Sequence, residues 1–334
     1  MDASSIYGEL SNVFLCDTGI PVKTVSPEIF TEQMEESGNL EKWTSFVEMI
    51  NGRFSGNCGE FLDYRHWFKD TLVNAINNEH YKSFNEMDMG RFAERHPDFV
   101  NVQKSIWNHS NDGAACMSVD LRQANFQAMK YVDPRIVLNC DTWEELCRKF
   151  TDCEYLVESK HIRQFVFGSL NPGRHATVER HMMGLVHDTI LGNDIMKGLI
   201  GSGIVKLCAV SVDELVYKTD ANTASLIAKS GIDRVICESV RNRNGFDVRV
   251  DVFTIEGCRL VSETSGRVAC SFFKANGVGG GASKFVCLPQ TYAAIVNRLE
   301  SGGTVRESDR HFVYDGIDCI INEDFRLERV ACGK

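Results

Sequence analysis

Along the first third of the chain, apolar residues recur at three- and four-residue spacing. Trp43, Phe46, Val47 and Ile50 form one stripe, and Phe61, Tyr64, Trp67, Phe68 and Leu72 form another, with Gly and Asn at the breaks between them. The spacing predicts helices over 27–34, 39–50, 60–76, 85–92 and 97–107, so residues 1–110 read as a mostly helical unit with aromatic faces in its core. The basic residues Arg65, His66, Lys69, Lys82, Arg91, Arg95, His96 and Lys104 are dispersed among acids, the pattern of a solvated face.

The pattern changes after the polar, turn-prone stretch 108–114. Residues 115–119 are a short apolar strand, and Leu121, Ala124, Ala128 and Met129 then take up helical spacing, so Asp120 falls where a strand ends and a helix begins. At such a point an Asp serves either as a helix N-cap or as a functional carboxylate, and both readings stand. A helix over 141–150, capped by Asp141 or Thr142, is followed by a strand-like Tyr155-Leu156-Val157. Residues 159–170 then form a helix with Lys160, Arg163 and Gln164 on one face by i, i+3, i+4 spacing. After a break at Asn171-Pro172-Gly173-Arg174, a further helix over 177–196 carries Arg180 and His181.

In 206–218 an apolar run is interrupted by Asp213-Glu214 and then resumes, which predicts two strands with an acidic pair at the turn between them. A carboxylate beside buried strands has to be hydrogen-bonded, exposed in a cleft, or neutralised by a cation. An ordinary hairpin with a solvated acidic turn satisfies the same pattern. Beyond it a helix over 225–229 gives way to strands over 247–255, 258–262, 267–273 and 284–288, punctuated by Gly245, Gly257 and Gly266 as turns. A helix over 289–299 and strands over 310–314 and 317–321 complete the chain. The run Gly277-Val278-Gly279-Gly280-Gly281-Ala282 fits G-x-G-x-x-A, but it joins two strands and reads as a hairpin loop.

Composition narrows the picture. With 43% hydrophobic and 25% charged residues over 334 positions, the chain has the make-up of a globular protein with two or three structural units. A net charge of −10 argues against non-specific coating of nucleic acid, while leaving room for a local basic groove beside acidic residues. The 13 cysteines are odd in number, scattered from Cys16 to Cys332 and never spaced as CxxC, the pattern of free thiols in a reducing compartment. Neither a leader-like N-terminus nor an apolar run long enough for a membrane span is present, so the expectation is an intracellular protein of cytoplasm or nucleus, not secreted and not in a membrane. No G-x-S-x-G elbow occurs, which weakens a Ser-His-Asp or Cys-His reading.

Three features therefore follow in order: an Asp ending a strand, a basic helix, and an Asp-Glu tip between strands. Nucleotidyl transfer needs such a set, with two carboxylates for paired metal ions and a basic helix for the triphosphate. On these residues the chain resembles the palm of family A DNA polymerases. Asp120-Leu121-Arg122-Gln123-Ala124-Asn125 is similar to the family's Asp-Tyr-Ser-Gln-Ile-Glu, with Asn in place of the final Glu. Residues 159–172 are similar to Arg-x3-Lys-x3-Phe-Gly-x2-Tyr-Gly. Ser159 stands for the leading Arg, Arg163 for the Lys, and Asn171-Pro172 for the Tyr-Gly, while Phe167-Gly168 is kept. Val212-Asp213-Glu214 is similar to His-Asp-Glu, without the His.

The resemblance covers about residues 116–220. It implies that Asp120 and Asp213 bind catalytic Mg²⁺ or Mn²⁺, with Glu214 a support at the primer end. It also implies that Arg163 and Lys160 meet the nucleotide's phosphates, with Phe167 packed near its sugar; Gln164 and Arg174, from the same basic tract, are further candidate substrate contacts. The expected architecture is α+β: a helical N-terminal unit (1–112), a palm and fingers-like core with an antiparallel sheet (113–235), and a strand-rich C-terminal unit (236–334). The expected function is a metal-dependent nucleotidyltransferase acting on a primer-template and a nucleoside triphosphate. The alternative is a degenerate polymerase-like protein that binds nucleic acid or serves as a structural component.

Overall fold

The computed structural model describes residues 3–20, 27–314 and 317–330; Met1, Asp2 and Cys332 lie outside them. The N-terminal third is helical: α1 (Ala3–Thr18), α2 (Pro27–Glu36), α3 (Leu40–Phe54), α4 (Cys58–Ile76), α5 (Glu79–Glu86) and α6 (Gly90–Ala93). There follow β1 (Ala115–Leu121), α7 (Ala124–Val132), α8 (Trp143–Arg148), α9 (Glu154–Glu158), α10 (Lys160–Gly168), α11 (Pro172–Leu191) and α12 (Asp194–Gly201). The chain continues as β2 (Lys206–Val210), β3 (Glu214–Thr219), α13 (Ala221–Ser230), α14 (Ile232–Asn244) and β4 (Val248–Ser262). It ends with β5 (Val268–Gly277), β6 (Lys284–Val286), α15 (Ala293–Glu300), β7 (His311–Tyr314), β8 (Ile317–Ile320) and β9 (Phe325–Arg329).

The fold is α+β around one antiparallel sheet of order β2-β3-β1-β4-β5-β6, with β9 also paired to β4. β1 lies inside the sheet, so its backbone groups are satisfied on both sides: Val119 stands opposite Leu215 of β3 and Val250 of β4. Its face carrying Met117, Val119 and Leu121 enters a hydrophobic core that is continuous from Ile6 to Val252. The C-terminal strands and α15 build a smaller core of their own, from Leu260, Phe272, Ile295, Val296 and Phe325. β7 and β8 form a separate two-stranded ladder.

Several local expectations are corrected. Over 97–107 only a 3-10 turn at Pro97–Phe99 forms; Asn101 then takes a positive φ of 66° and Gln103 bridges to Ala209. Tyr155, Leu156 and Val157 are helical, not a strand, since so short an apolar run fits either element once Leu156 and Val157 are buried. The helix expected over 177–196 begins earlier, with Pro172 in its first turn, and stops at Leu191; Asn193 then accepts from the Ile195 and Met196 amides to start α12. Gly245 ends α14, a helix the sequence pattern does not single out. Gly257 lies within β4, its N–H donating to Asp112 Oδ1 at 2.7 Å. A Cβ there would sit 3.3 Å from both His109 Nδ1 and Val330 Cβ, so close approach, not a turn, requires the glycine.

The basic residues of the helical unit also depart from expectation, because Arg65 and Lys69 are buried. Arg65 Nε and Nη2 donate to the buried Asp17 carboxylate at 2.9 and 2.5 Å. The Ser159 hydroxyl donates to the same carboxylate at 3.1 Å, and Tyr155 Oη does so at 3.3 Å. Ser159 in turn caps α10, its Oγ accepting from the Ile162 amide. Asp17 therefore joins α1, α4 and the start of α10 through one desolvated carboxylate. Lys69 sits with Nζ 4.3 Å from the Phe165 ring centroid, and burial lowers its pKa.

Removing one partner of this pair strands a buried charge. Arg65→Met is expected to cost about 3–5 kcal/mol in denaturant unfolding, and Asp17→Asn/Arg65→Met together less than the sum of the two single changes. Additive losses would contradict the coupling.

Candidate active site

β1 and the β2-β3 hairpin meet at their acidic ends. Asp120 is the register partner of Glu214 across β1 and β3, and the Leu121 amide donates to the Asp213 carbonyl at 2.9 Å. The 206–218 stretch is a hairpin with Asp213 in its turn and Glu214 opening β3; Ser211 Oγ donates to Asp213 Oδ1 at 3.3 Å. On the other side of β1, Arg249 of β4 is opposite Asp120, with Nη2 3.3 Å from Asp120 Oδ2 and Nε 3.1 Å from Asp251 Oδ2.

The turn leaving β1 is held in an unusual shape. Gln123 takes φ 50° and ψ 45°, the left-handed region that a non-glycine residue rarely occupies, and its Nε2 donates to Glu144 Oε1 at 2.7 Å. Gln127 exchanges bonds with Asp247, accepting from its amide at 2.7 Å and donating to its carbonyl at 2.8 Å. Asp120 consequently does not cap α7: Gln123 holds the N-cap position, without a side-chain cap bond.

A cleft of about 580 Å³ opens beside these residues, within the range of ligand sites. Asp120, Asp213 and Arg249 line it from the sheet, Gln123 and Asn125 from the turn, and Lys160, Arg163, Gln164 and Phe167 from α10. Phe167 is buried at the back of its helix, with its ring centroid 5.7 Å from that of Trp143. Burial lowers the Arg163 pKa, with Glu144 opposing the shift. Glu214 stands slightly apart from the cleft lining; burial raises its pKa and a hydrogen bond with Ser118 opposes the rise. Arg174 lies elsewhere: Nη2 donates to the Phe84 and Met87 carbonyls at 2.6 Å, and the guanidinium sits 5.1 Å from the Phe84 ring centroid. Asn125, where the resemblance would have Glu, has Oδ1 3.2 Å from His175 Nδ1, whose Nε2 is 2.9 Å from Tyr81 Oη. Burial holds the His175 ring at about 4, hence neutral near pH 7.

The acids crowd one another. Burial, and then Asp213, push the Asp120 carboxyl up to about 6, with Arg249 opposing. Two further residues, Arg249 and Glu179, belong to this group although the motifs do not name them. Glu179 of α11 is 5% exposed, and its Oε1 has no hydrogen-bond partner among the described residues. Burial and Asp213 push it up to about 7. A sequence signal for it existed: Glu179 lies on the apolar stripe of α11 with Val178, Met182, Met183 and Val186, where a carboxylate is out of pattern. Arg249 carries no comparable signal, since its place depends on the register of β4 against β1.

Asp120 and Asp213 line the cleft, and Glu179 lies near enough to Asp213 to be raised by its charge. Carboxylate oxygens suit Mg²⁺ or Mn²⁺, but among the described residues these three do not draw within 4.8 Å of one another as one group. The cations of α10 line the same cleft, so the site pairs an acid wall with a basic one. No protein-family model matches the chain, and no curated protein sequence matches it.

The sign of the pH dependence follows from the raised carboxyls. The native state holds protons that the unfolded chain has released, so stability falls as pH rises from the ordinary carboxylate value through the folded pKa. For Glu179 that window runs from about 4.5 to about 7. At roughly 1.4 kcal/mol per unit, the loss attributable to this residue is on the order of 3 kcal/mol. Glu179→Gln is expected to shrink the difference in unfolding free energy between pH 5 and pH 8 by about that amount. An unchanged difference would show that the Glu179 carboxyl is not raised in the folded chain.

Proposed function

We propose that the chain is a metal-dependent nucleotidyltransferase of polymerase-like type, transferring a nucleotidyl group from a nucleoside triphosphate to the 3′-hydroxyl of a nucleic-acid primer. The observation that carries this reading is the convergence of Asp120 and Asp213 with Lys160 and Arg163 on one cleft. Asp120 and Asp213 would hold Mg²⁺ or Mn²⁺, with Glu179 adding negative charge beside Asp213. The ion would supply neutralising charge to the phosphates and activate the attacking hydroxyl. Lys160 and Arg163, one turn apart, give the triphosphate two donors on a helix whose position is fixed by packing. Gln164 adds a neutral donor, and Phe167 an apolar wall. Glu214, tied to Ser118, supports the primer side.

A second reading is favoured by Arg249. Its guanidinium already stands 3.3 Å from Asp120 Oδ2, where a fixed cation neutralises the acid without metal. On that reading the protein binds nucleic acid without copying it. In either case, all twelve described cysteines are free thiols, which supports a reducing compartment, cytoplasm or nucleus. No helix among the described residues is long and apolar enough to cross a membrane.

Incubation of wild type and Asp213→Ala with a labelled primer-template, nucleoside triphosphates and Mg²⁺ or Mn²⁺ separates the readings. Extension by wild type only is expected, with Arg163→Ala reducing catalytic efficiency by roughly 10²–10³-fold. Mg²⁺ should also raise the melting temperature of wild type at pH 8 more than that of Asp213→Ala. No extension from either protein, with primer-template binding indifferent to metal and to Asp213, would replace this reading with the second.

A further inference from the structure

A different set of ligating side chains lies farther along α11. His187 and Asp188 are two turns beyond Glu179, roughly 12 Å along the helix axis. They face the 3-10 turn at Pro97–Phe99, which His96 precedes and to which Asp98 belongs. His187 Nε2 is 3.1 Å from Asp98 Oδ2, and His96 Nε2 is 3.2 Å from Asp188 Oδ1. Two imidazole-carboxylate pairs thus lie crossed, their rings perpendicular at 88° with centroids 5.1 Å apart. One ligand atom each from His96, Asp98 and His187 fall within 4.8 Å of one another.

We propose that His96, Asp98 and His187 form a binding site for a transition-metal ion, Zn²⁺ by preference, with Asp188 or water completing the coordination. Two imidazoles and a carboxylate are a borderline-soft set that suits Zn²⁺, Co²⁺ or Ni²⁺ and discriminates against Mg²⁺ and Ca²⁺. The set therefore differs in kind from the carboxylates that line the cleft. Ligand atoms about 2.0–2.2 Å from one ion must draw closer than 4.8 Å, and the site can close from its open side. His187 is 3% exposed and stays fixed, whereas the Asp98 and Asp188 side chains are 53% and 50% exposed and free to turn inward.

The site also has an orienting partner. His187 Nδ1 lies 2.7 Å from the buried Tyr217 Oη of β3. When His187 ligates through Nε2 its proton resides on Nδ1 and is donated to Tyr217, the arrangement that fixes the ring of a metal-bound histidine. His96 turns its Nε2 from Asp188 to the ion and gives up the bond its Nδ1 accepts from the Asp98 amide, 3.2 Å in length. The ion would then tie the segment after α6 to α11 and, through Tyr217, to β3.

The test uses the full chain, purified without a histidine tag, stripped with chelator, and titrated with Zn²⁺ and with Co²⁺ in excess Mg²⁺. One equivalent is expected to bind, giving a visible Co²⁺ spectrum without thiolate charge-transfer bands and raising the melting temperature. His96→Gln and Asp98→Asn, at the more exposed positions, should fold as wild type without metal. Each should lose more affinity than the roughly 10–100-fold expected for the orienting change Tyr217→Phe. Absence of stoichiometric binding, binding that survives both ligand changes, or a thiolate spectrum assigning the ion to cysteines would each overturn the proposal.

Discussion

The centre of this molecule is governed by the burial of carboxylates at and beside the ends of β1 and β3, to which their mutual repulsion adds. Asp120, Asp213, Glu214 and Glu179 are brought together by backbone pairing and helix packing, which are indifferent to their charge. The hydrogen bonds on both sides of β1 and the buried Met117, Val119 and Leu121 fix Asp120 in place, so the acids cannot relax apart. Relief has to come as positive charge or as protons. Arg249 supplies the first beside Asp120, and the raised affinities of Asp120 and Glu179 for protons are the second.

The opposite wall of the cleft depends on a second desolvated charge. Asp17 takes bonds from Arg65, Tyr155 and Ser159, and Ser159 caps the helix that presents Lys160 and Arg163. The N-terminal helices therefore do more than fill space beside the sheet. They set the origin and direction of α10, and so the distance at which cations face acids. The aromatic contacts of Phe46 and Phe61 with Tyr155 reinforce the same junction.

Much of this was legible in the chain. The α+β class, the helical first third, the 206–218 hairpin and the helix bearing Lys160, Arg163, Gln164 and Phe167 follow from periodicity, because each is a local pattern with its apolar face intact. What was not legible depends on long-range register or on burial of charge. The pairing of Arg249 with Asp120 joins residues 129 apart, and the burial of Arg65 requires Asp17, 48 positions away. Arg174 looks like part of a basic tract, yet its hydrogen bonds go to the carbonyls of Phe84 and Met87, because the chain turns after Asn171 and carries it back against α5. The continuity of β4 through Gly257 was hidden for a related reason: a glycine chosen for close approach has the same letter as one chosen for a turn.

The Asp17 junction has a consequence for how the chain can change through descent. Three segments widely separated in sequence share one carboxylate, so a substitution at Asp17 leaves Arg65 and Ser159 without their partner at the same moment. Drift at these positions is constrained to move together, by replacing the whole polar knot with an apolar one or by keeping it intact. The helix that carries the cations of the cleft thus inherits its placement from a residue in the first helix of the chain, and sequence divergence there registers in the centre of the molecule.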